Sequence, residues 1–255
     1  MLGAIIGDIA GSIYEWRPIK HKDFPLLSKK CFFTDDTVLT TAIAQSILTK
    51  NKYLESVRKI GQRYPNSGYG GSFSHWLFSP VIEPYNSWGN GSAMRVSPVG
   101  FAFDTTENVL REAKNTSIIT HDHPEGIKGA QTTALAVFLA RTGHSKEAIR
   151  AEIQSKFKYN LDRTVDDIRP NYRFDVSCQG TVPEALIAFL DSVSYEDTIR
   201  NTISLGGDAD TLACIAGGIA EAFYVDISKD LIRKAKTFLT SDLPEITDTF
   251  CTAYC

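Results

Sequence analysis

The 255-residue sequence has no apolar run that reaches about 18 residues, the length that a membrane-spanning helix needs. It also has no excess of basic residues, because 27 lysines and arginines stand against 30 aspartates and glutamates, a formal net charge of −3. This charge argues against broad nonspecific binding to nucleic acid, although it leaves room for a local basic patch. The N-terminal stretch has no basic leader before its apolar part and carries an acid within it, which is not typical of a secretory signal.

The five cysteines include no Cys-x-x-Cys pair of the kind that binds zinc. Cys251 and Cys255 lie one helical turn apart, and we interpret them as packing residues rather than as a ligand pair. This cysteine usage predicts a reduced, cytoplasmic protein. No Pro/Ser/Gly-rich linker or change of composition divides the chain, so we expect a single domain over residues 1–255 and, by default, a monomer.

Alternation of polar and apolar residues with a two-residue period is nearly absent, apart from a short stretch near residues 172–177 that could form a strand pair. Elsewhere the apolar residues recur with a helical period, and Asp, Ser or Thr stands at many helix starts. The sequence therefore predicts an all-α fold of roughly a dozen helices. The predicted helices include residues 2–15, 36–49, 125–141 and 209–223.

Two segments place an acid pair and hydroxyl groups at the start of a helix made of small and apolar residues. They are FTDDT at 33–37 and GGDADT at 206–211. An acid in such a place is usually only a helix cap, and Asp208 is well placed to be one. Acid pairs on apolar helices repel each other and are costly to desolvate, however, so two that converge need a cation between them. A shared metal site is the better interpretation.

Oxygen ligands of this kind suit Mg²⁺, Mn²⁺ or Ca²⁺ rather than zinc. If the two segments meet, they offer ligands for two divalent ions about 3.5–4 Å apart, and hydrolysis is then the first reaction class to consider. The candidate ligands are Thr34, Asp35, Asp36, Asp208, Asp210 and Thr211.

Residues 66–92 are rich in glycine and aromatic residues and predict an ordered loop region of the kind that often lines binding sites. Within it, YNSWGNGS at 85–92 suits a nucleotide diphosphate, although a plain turn with packed aromatic rings is the alternative. His121, Asp122 and His123 precede a helix that starts with proline; either they only cap this helix or a histidine contacts a phosphate or sugar. Taken alone, Glu15 and Glu221 are interpreted as ordinary surface acids.

Five blocks of the sequence together resemble the ADP-ribosylglycohydrolases, the family that includes dinitrogenase reductase-activating glycohydrolase and the ADP-ribosyl-acceptor hydrolases. GAIIGDIAGSIYE is similar to the family's opening GxxxGDxxGxxxE block, and FTDDT and GGDADT are similar to its two metal-binding blocks. GNGSAMR resembles its GNGxxMR block, and ITHDHPEGIKGA resembles its histidine-containing block. The five blocks occur in the family's order and are spread over nearly the whole chain.

The resemblance implies an all-α fold with two Mg²⁺ ions, or Mn²⁺ in their place, at the base of a cleft that binds the ADP-ribose moiety of a modified protein or small molecule. Glu15 matches an acid that contacts the reaction centre, and His121 matches a histidine near the ADP-ribose. The residues matched to the diphosphate-binding loop are Ser87, Trp88, Gly89 and Asn90, and those matched to the metal ligands are Thr34, Asp35, Asp36, Asp208, Asp210 and Thr211.

The reaction that this resemblance implies is hydrolysis of the bond between C1″ of the distal ribose and its acceptor, such as a protein arginine or serine. Asp35, Asp36 and Glu15 are the candidates to take the proton from the attacking water. One alternative is a metal-dependent nucleotide pyrophosphohydrolase, which would release AMP. Another is a non-catalytic ADP-ribose-binding member of the fold, but each matched ligand position here keeps an oxygen-bearing side chain. Residues 158–180 match no motif, and they leave the acceptor open.

Overall fold

A computed structural model describes residues 1–240 and 242–255 of the chain. Over these residues the chain forms fifteen helices and no strand, so the all-α prediction is confirmed. The stretch near residues 172–177 forms no strand pair, and one antiparallel bridge instead joins Gly89 to Ser177. The helices are α1 (Leu2–Gly11), α2 (Asp35–Thr49), α3 (Tyr53–Gly61), α4 (Gly71–Phe78), α5 (Gly91–Met94), α6 (Ser97–Ala102), α7 (Thr106–Ser117), α8 (Pro124–Arg141), α9 (Lys146–Phe157), α10 (Val165–Ile168), α11 (Cys178–Leu190), α12 (Tyr195–Ser204), α13 (Ala209–Tyr224), α14 (Lys229–Lys236) and α15 (Leu243–Tyr254).

Helices α1 and α13 lie in direct backbone contact at the centre of the fold. A Cβ atom added to Gly7 would lie 2.0 Å from the carbonyl oxygen of Ala213, and one added to Gly11 would lie 2.4 Å from the Cα of Asp210. Only a residue without a side chain permits so close an approach. This small-residue contact sets the last turn of α1 against the first turn of α13.

Helix α1 ends at Gly11, four residues before the predicted end at residue 15. The hydroxyl of Ser12 donates to the carbonyl oxygen of Ile9 at 2.9 Å, a local bond that competes with continuation of the helix. Residues 12–17 are turns and bends instead. As a result Glu15 does not continue along the helix axis, and its carboxylate returns to the start of α13.

The buried apolar side chains form one cluster that includes residues of α1, α2, α8, α11 and α13. Helix α13 contributes an almost unbroken run of buried residues from Ala209 to Ala220, as expected for a helix at the centre of the fold. In the part of the chain that the structure describes, no helix combines the length and the apolar character that crossing a membrane would require.

Candidate active site

Two groups of carboxylates lie where α1, α2 and α13 meet. Asp8, Asp36 and Asp210 are all buried, and each offers a carboxylate oxygen within 4.8 Å of the others. Glu15, Asp208 and Asp210 form the second group by the same measure, and Glu15 is its half-buried member. Asp210 belongs to both groups. The acid pairs of FTDDT and GGDADT therefore do converge.

The hydroxyl groups of the two segments also take part in this junction. Thr211 Oγ1 donates to Asp36 Oδ2 at 3.2 Å, which joins the start of α13 to the start of α2. Thr34 is the N-cap of α2, and its hydroxyl accepts from the amide of Asp36. Asp35 is half-buried and belongs to neither group of three; its Oδ1 lies 3.6 Å from where a Cβ of Gly68 would be. We call Asp8, Glu15, Asp35, Asp36, Asp208 and Asp210 the acid centre.

Asp8 is the member that sequence reasoning did not assign to the site. Its Oδ2 accepts the backbone amides of Thr34 at 3.0 Å and Thr37 at 3.1 Å, and its Oδ1 accepts the Thr34 hydroxyl at 2.7 Å. One carboxylate of α1 thus accepts two of the backbone amides at the start of α2, those of Thr34 and Thr37. The signal in the sequence was an acid inside a helix that is otherwise made of small and apolar residues.

Asp208 occupies the N-cap position of α13, but its side chain makes no capping hydrogen bond. The prediction that it caps this helix is therefore wrong. Its Oδ2 instead accepts from Asn90 Nδ2 at 2.7 Å. The positive φ angles of Gly206 (70°) and Gly207 (74°) turn the preceding loop so that Asp208 faces Asn90 rather than its own helix. This bond connects the acid centre to the glycine-rich loop.

Glu15, which the resemblance matches to an acid at the reaction centre, and Glu221, which taken alone is interpreted as a helix-face charge, both make contacts inside the fold. Glu15 is half-buried in the acid centre. The carboxylate of Glu221 accepts the backbone amides of Leu2 at 3.1 Å and Gly3 at 2.8 Å, and it pairs with the amino group of Met1. Glu221, which lies on α13, therefore caps the start of α1, and its carboxylate already has hydrogen-bond and ionic partners.

Burial raises the pKa of each carboxyl in the acid centre. The pKa of Asp8 rises to about 6 through burial, which its hydrogen bonds from Thr37 and Thr34 only partly oppose. The pKa of Glu15 rises to about 7, again mainly through burial and then through the negative charge of Asp208. Burial and the neighbouring carboxylates likewise raise the pKa values of Asp35, Asp36 and Asp210. Burial also raises the pKa of Asp208, although its hydrogen bonds with Asp210, Asn90 and Thr211 partly oppose the rise.

The acid centre lacks a protein counter-charge, since none of its six carboxylates forms a salt bridge within residues 1–240 and 242–255. In addition, Asp36 Oδ1 is buried without a hydrogen-bond partner. Buried carboxylates of this kind are normally paired or bound to a metal. The all-oxygen donor set and the unpartnered Asp36 oxygen therefore fit hard divalent cations.

Residues 87–91, which we call the glycine loop, lie beside the acid centre. The amide of Asn90 donates to Val176 O at 2.7 Å, and the amide of Cys178 donates to Trp88 O at 2.9 Å, so the loop is tied to the segment before α11. Ser87 Oγ accepts from the amide of Gly89 at 3.1 Å. Trp88 is 53% exposed, and its ring meets the ring of His123 edge to face at 5.8 Å.

The two histidines before α8 have different surroundings. His123 Nδ1 accepts from the amide of Glu125 at 3.1 Å, which is the capping arrangement. His121 is only 5% exposed, and its Nε2 faces the glycine loop, 3.1 Å from where a Cβ of Gly91 would be. The structure thus brings His121 to the same loop as Ser87, Trp88, Gly89 and Asn90, as the predicted substrate site requires.

Arg95, the last residue of GNGSAMR, was not among the predicted site residues. It is fully buried, and its Nη2 donates to Thr116 O at 2.8 Å and Thr120 Oγ1 at 2.9 Å. Its Nε and Nη1 are buried and have no hydrogen-bond partner within residues 1–240 and 242–255. Burial lowers its pKa to about 10. Next to the glycine loop the protein therefore buries a positive charge without a salt bridge to any described residue, whereas the acid centre buries negative charges.

Two cavities of about 670 and 630 Å³ are lined by other residues. The first is lined by residues of α2, α3 and α15, such as Gln45, Lys59 and Glu245. The second is lined by residues such as Lys20, His21 and Arg169. Neither includes a member of the acid centre. Here the buried charges, rather than cavity volume, locate the site.

The central helix crossing thus holds buried carboxylates that form no salt bridge with any described residue, beside the glycine loop and a buried arginine. Comparison with known proteins then defines the family. The profile of the ADP-ribosylglycohydrolases matches residues 1–253, so the chain belongs to this family. Membership supports hydrolytic removal of ADP-ribose as the class of activity.

Individual relatives agree with this assignment. The chain is 27% identical to ADP-ribosylhydrolase ARH3 of Homo sapiens, over 88% of this chain and 84% of that protein. It is 25% identical to ADP-ribosylarginine hydrolase Tri1 of Pseudomonas putida (strain GB-1), over 88% of this chain and 69% of that protein. A solved ADP-ribosylglycohydrolase-related protein complex contains a chain with the same fold, with a TM-score of 0.76, 22% identity, and coverage of 98% of this chain and 94% of that one.

Proposed function

We propose that this protein hydrolyses the glycosidic bond between C1″ of ADP-ribose and an acceptor, with two divalent cations, Mg²⁺ or Mn²⁺, in the acid centre. The observation that carries the proposal is the sharing of Asp210 by two groups of three carboxylates. One shared acid between two neighbouring groups of oxygen ligands is the arrangement expected for a pair of cations. The family membership of the chain supplies the substrate class.

The first cation would be held by Asp8, Asp36 and Asp210, and the second by Glu15, Asp208 and Asp210. Thr34, Asp35 and Thr211 lie at the same helix starts and would add oxygen ligands. Two hard cations, when bound, supply counter-charge to the carboxylates and polarise oxygen groups of the substrate. Because Asp8 also accepts backbone amides at the start of α2, it would hold the ligands of α2 in place against α1.

Glu15 is our candidate for the group that moves a proton at the reacting carbon. It is the least buried member of its group of three, and it lies in a turn rather than a helix. A carboxylate that is open to the substrate can take a proton from the attacking water. Asp35 is also half-buried and is the second candidate. Asp36 is fully buried, so we assign it to binding a cation rather than to proton transfer.

The glycine loop and His121 would bind the diphosphate, and the exposed ring of Trp88 would offer its face to the adenine. Support comes from the charge of this region, since two nitrogens of the buried Arg95 guanidinium, Nε and Nη1, have no hydrogen-bond partner among the described residues. A ligand that spans both regions would place its anionic part near Arg95 and its distal ribose near the acid centre. The contact from Asn90 to Asp208 fixes the distance between these two parts.

The test is product analysis with matched ADP-ribosyl-arginine and ADP-ribosyl-serine peptides, each in Mg²⁺ and in EDTA. We expect release of free ADP-ribose from one peptide in Mg²⁺ and none in EDTA. The arginine peptide has support from one named relative, the ADP-ribosylarginine hydrolase of Pseudomonas putida. Release of AMP would instead identify a nucleotide pyrophosphohydrolase. Binding of ADP-ribose without turnover of either peptide would favour a non-catalytic member or another acceptor.

A further inference from the structure

Three side chains form a hydrogen-bonded chain behind the glycine loop. Arg95 Nη2 donates to Thr120 Oγ1 at 2.9 Å, and Thr120 Oγ1 lies 2.7 Å from His121 Nδ1. Arg95 and Thr120 are fully buried, and His121 is nearly so. In such surroundings a polar N–H or O–H group that lacks an acceptor lowers the stability of the fold.

The direction of these bonds follows from the chemistry of the groups. A guanidinium has only donors, so Thr120 Oγ1 accepts from Arg95 and keeps one hydrogen of its own to donate. Within the described part of the chain, His121 Nδ1 is the one acceptor that Oγ1 contacts. The hydroxyl hydrogen therefore points to Nδ1. A neutral ring whose Nδ1 accepts must carry its hydrogen on Nε2.

The imidazole is held neutral by its surroundings. Burial lowers the pKa of His121 well below its ordinary value, and the positive charge of Arg95 lowers it further. A protonated ring would also need a hydrogen on Nδ1, which would compete with the Thr120 hydroxyl for the same bond.

The Nε2 donor faces the glycine loop without a partner. It makes no hydrogen bond to any described residue, and it lies 3.1 Å and 3.5 Å from where Cβ atoms of Gly91 and Gly89 would be. A side chain at Gly91 would crowd Nε2, so glycine there leaves the donor free to reach a ligand. An unpaired donor in a region with an unpaired guanidinium calls for an acceptor that is also anionic.

We propose that Arg95 and Thr120 fix the tautomer of His121, so that its Nε2–H donates to a phosphate oxygen of the substrate at the glycine loop. This inference rests on the proposed function, because the diphosphate of ADP-ribose is the ligand. Arg95 and Thr120 are positioning residues, since they act through His121. The resemblance places His121 near the ADP-ribose. The inference goes further, because it assigns the ring a tautomer and names Arg95 and Thr120 as the residues that impose it.

The tautomer can be read directly in the free protein. In a protein labelled with ¹⁵N-histidine, the chemical shifts of the two ring nitrogens tell which one carries hydrogen. The sequence has five histidines, and the signals lost in His121→Gln identify those of His121. We expect a neutral ring with hydrogen on Nε2 in the wild type. A ring protonated on Nδ1, or a charged ring at neutral pH, would overturn the inference.

The variants Thr120→Val and Thr120→Ser separate this role from simple packing. The valine variant removes the hydroxyl, so we expect a mixed or reversed tautomer and a Kd for ADP-ribose raised about tenfold, the value of one hydrogen bond to a charged group. The serine variant keeps the hydroxyl and should restore both the wild-type tautomer and affinity to within about twofold. Equal weakening in both variants, with the tautomer unchanged, would refute the proposal.

The two proposals fail in different ways. If the wild type does not bind ADP-ribose, the proposed function fails, yet the ¹⁵N spectrum of the free protein still decides the tautomer. If the wild type binds ADP-ribose and the Thr120→Val variant binds it with unchanged affinity, the positioning role of Arg95 and Thr120 is refuted. The proposed function is then unaffected. Circular dichroism of each variant checks that the helices are retained.

Discussion

Two neighbouring regions of the protein bury charges of opposite sign. One is the acid centre, and the other contains the glycine loop, Arg95 and His121. The first gathers six carboxylates that form no salt bridge with any described residue, whereas the second keeps one buried guanidinium and an imidazole that burial holds neutral. Asn90 joins the two regions through its bond to Asp208. No described residue compensates the negative charges of the first region or the positive charge of Arg95 in the second. The difference indicates a ligand system with cations at one end and an anion at the other.

The largest effect should come from breaking the acid centre at its shared member. We expect Asp210→Asn to lower kcat on the order of a thousandfold or more, because it removes an oxygen charge from both groups of three. In EDTA the same variant should unfold at a higher temperature than the wild type, since it relieves repulsion among buried carboxylates. Rates from the peptide assay and thermal scans check both effects.

Asp230→Asn is the matched control, because Asp230 is exposed on α14 and far less able to perturb its neighbours. It should leave the rate unchanged. Wild-type turnover in Asp210→Asn would show that the metal assignment is wrong.

The next effect concerns the packing that creates the acid centre. In Gly7→Ala the new methyl group would lie 2.0 Å from the carbonyl oxygen of Ala213, so α1 must move away from α13. We expect a loss of about 2 kcal/mol in the free energy of unfolding, after allowing for the better helix propensity of alanine. Because Asp8 moves with α1, turnover should fall as well.

Gly71→Ala provides the control, since a Cβ at Gly71 meets no atom within 4 Å. Its free energy of unfolding, measured in urea, should stay within about 0.5 kcal/mol of the wild type. An equal loss in both variants would mean that the contact between α1 and α13 does not limit stability.

A smaller effect is expected when only the anion-binding region is changed. Trp88→Ala should raise the KM about tenfold while leaving kcat within about threefold, because the exposed ring would contribute stacking on the adenine and no chemistry. Trp88→Phe should restore most of the affinity. A loss confined to kcat would contradict this division between the two regions.

The smallest effect is a pH dependence that should change sign with cations. Burial raises the pKa of Asp8 from 3.8 to about 6 and that of Glu15 from 4.5 to about 7. At a pH between the unfolded and the folded pKa of each group, the folded protein therefore binds more protons than the unfolded chain. In EDTA, stability due to these groups should therefore fall as pH rises from about 4 to 7. With Mg²⁺ it should rise over the same range, because cations bind the ionised carboxylates. Thermal scans at several pH values would show whether the two slopes differ in sign.

The helical fold and much of the candidate site could be predicted from the sequence because those signals are local. Hydroxyl-acid patterns at helix starts marked Thr34, Asp36, Asp208 and Asp210, and helical periodicity marked α2, α8 and α13. The early end of α1 could not be predicted, because the Ser12 hydroxyl that donates to Ile9 O also accepts from the amide of Phe32, 20 residues away in the chain. The actual partner of Asp208 was hidden for a similar reason, since Asn90 lies 118 residues away in the chain.

The sequence by itself determined the all-α class, the positions of the two acid-bearing helix starts and the family, because periodicity, capping residues and short motifs are written in neighbouring residues. The tertiary structure alone decided that Asp210 is shared, that Asp8 joins the acid centre, and that Arg95 reaches His121 through Thr120. These facts depend on helices that meet across long separations in sequence. Their approach is set by glycines packed against backbone atoms, and the distance between two buried side chains follows from that packing.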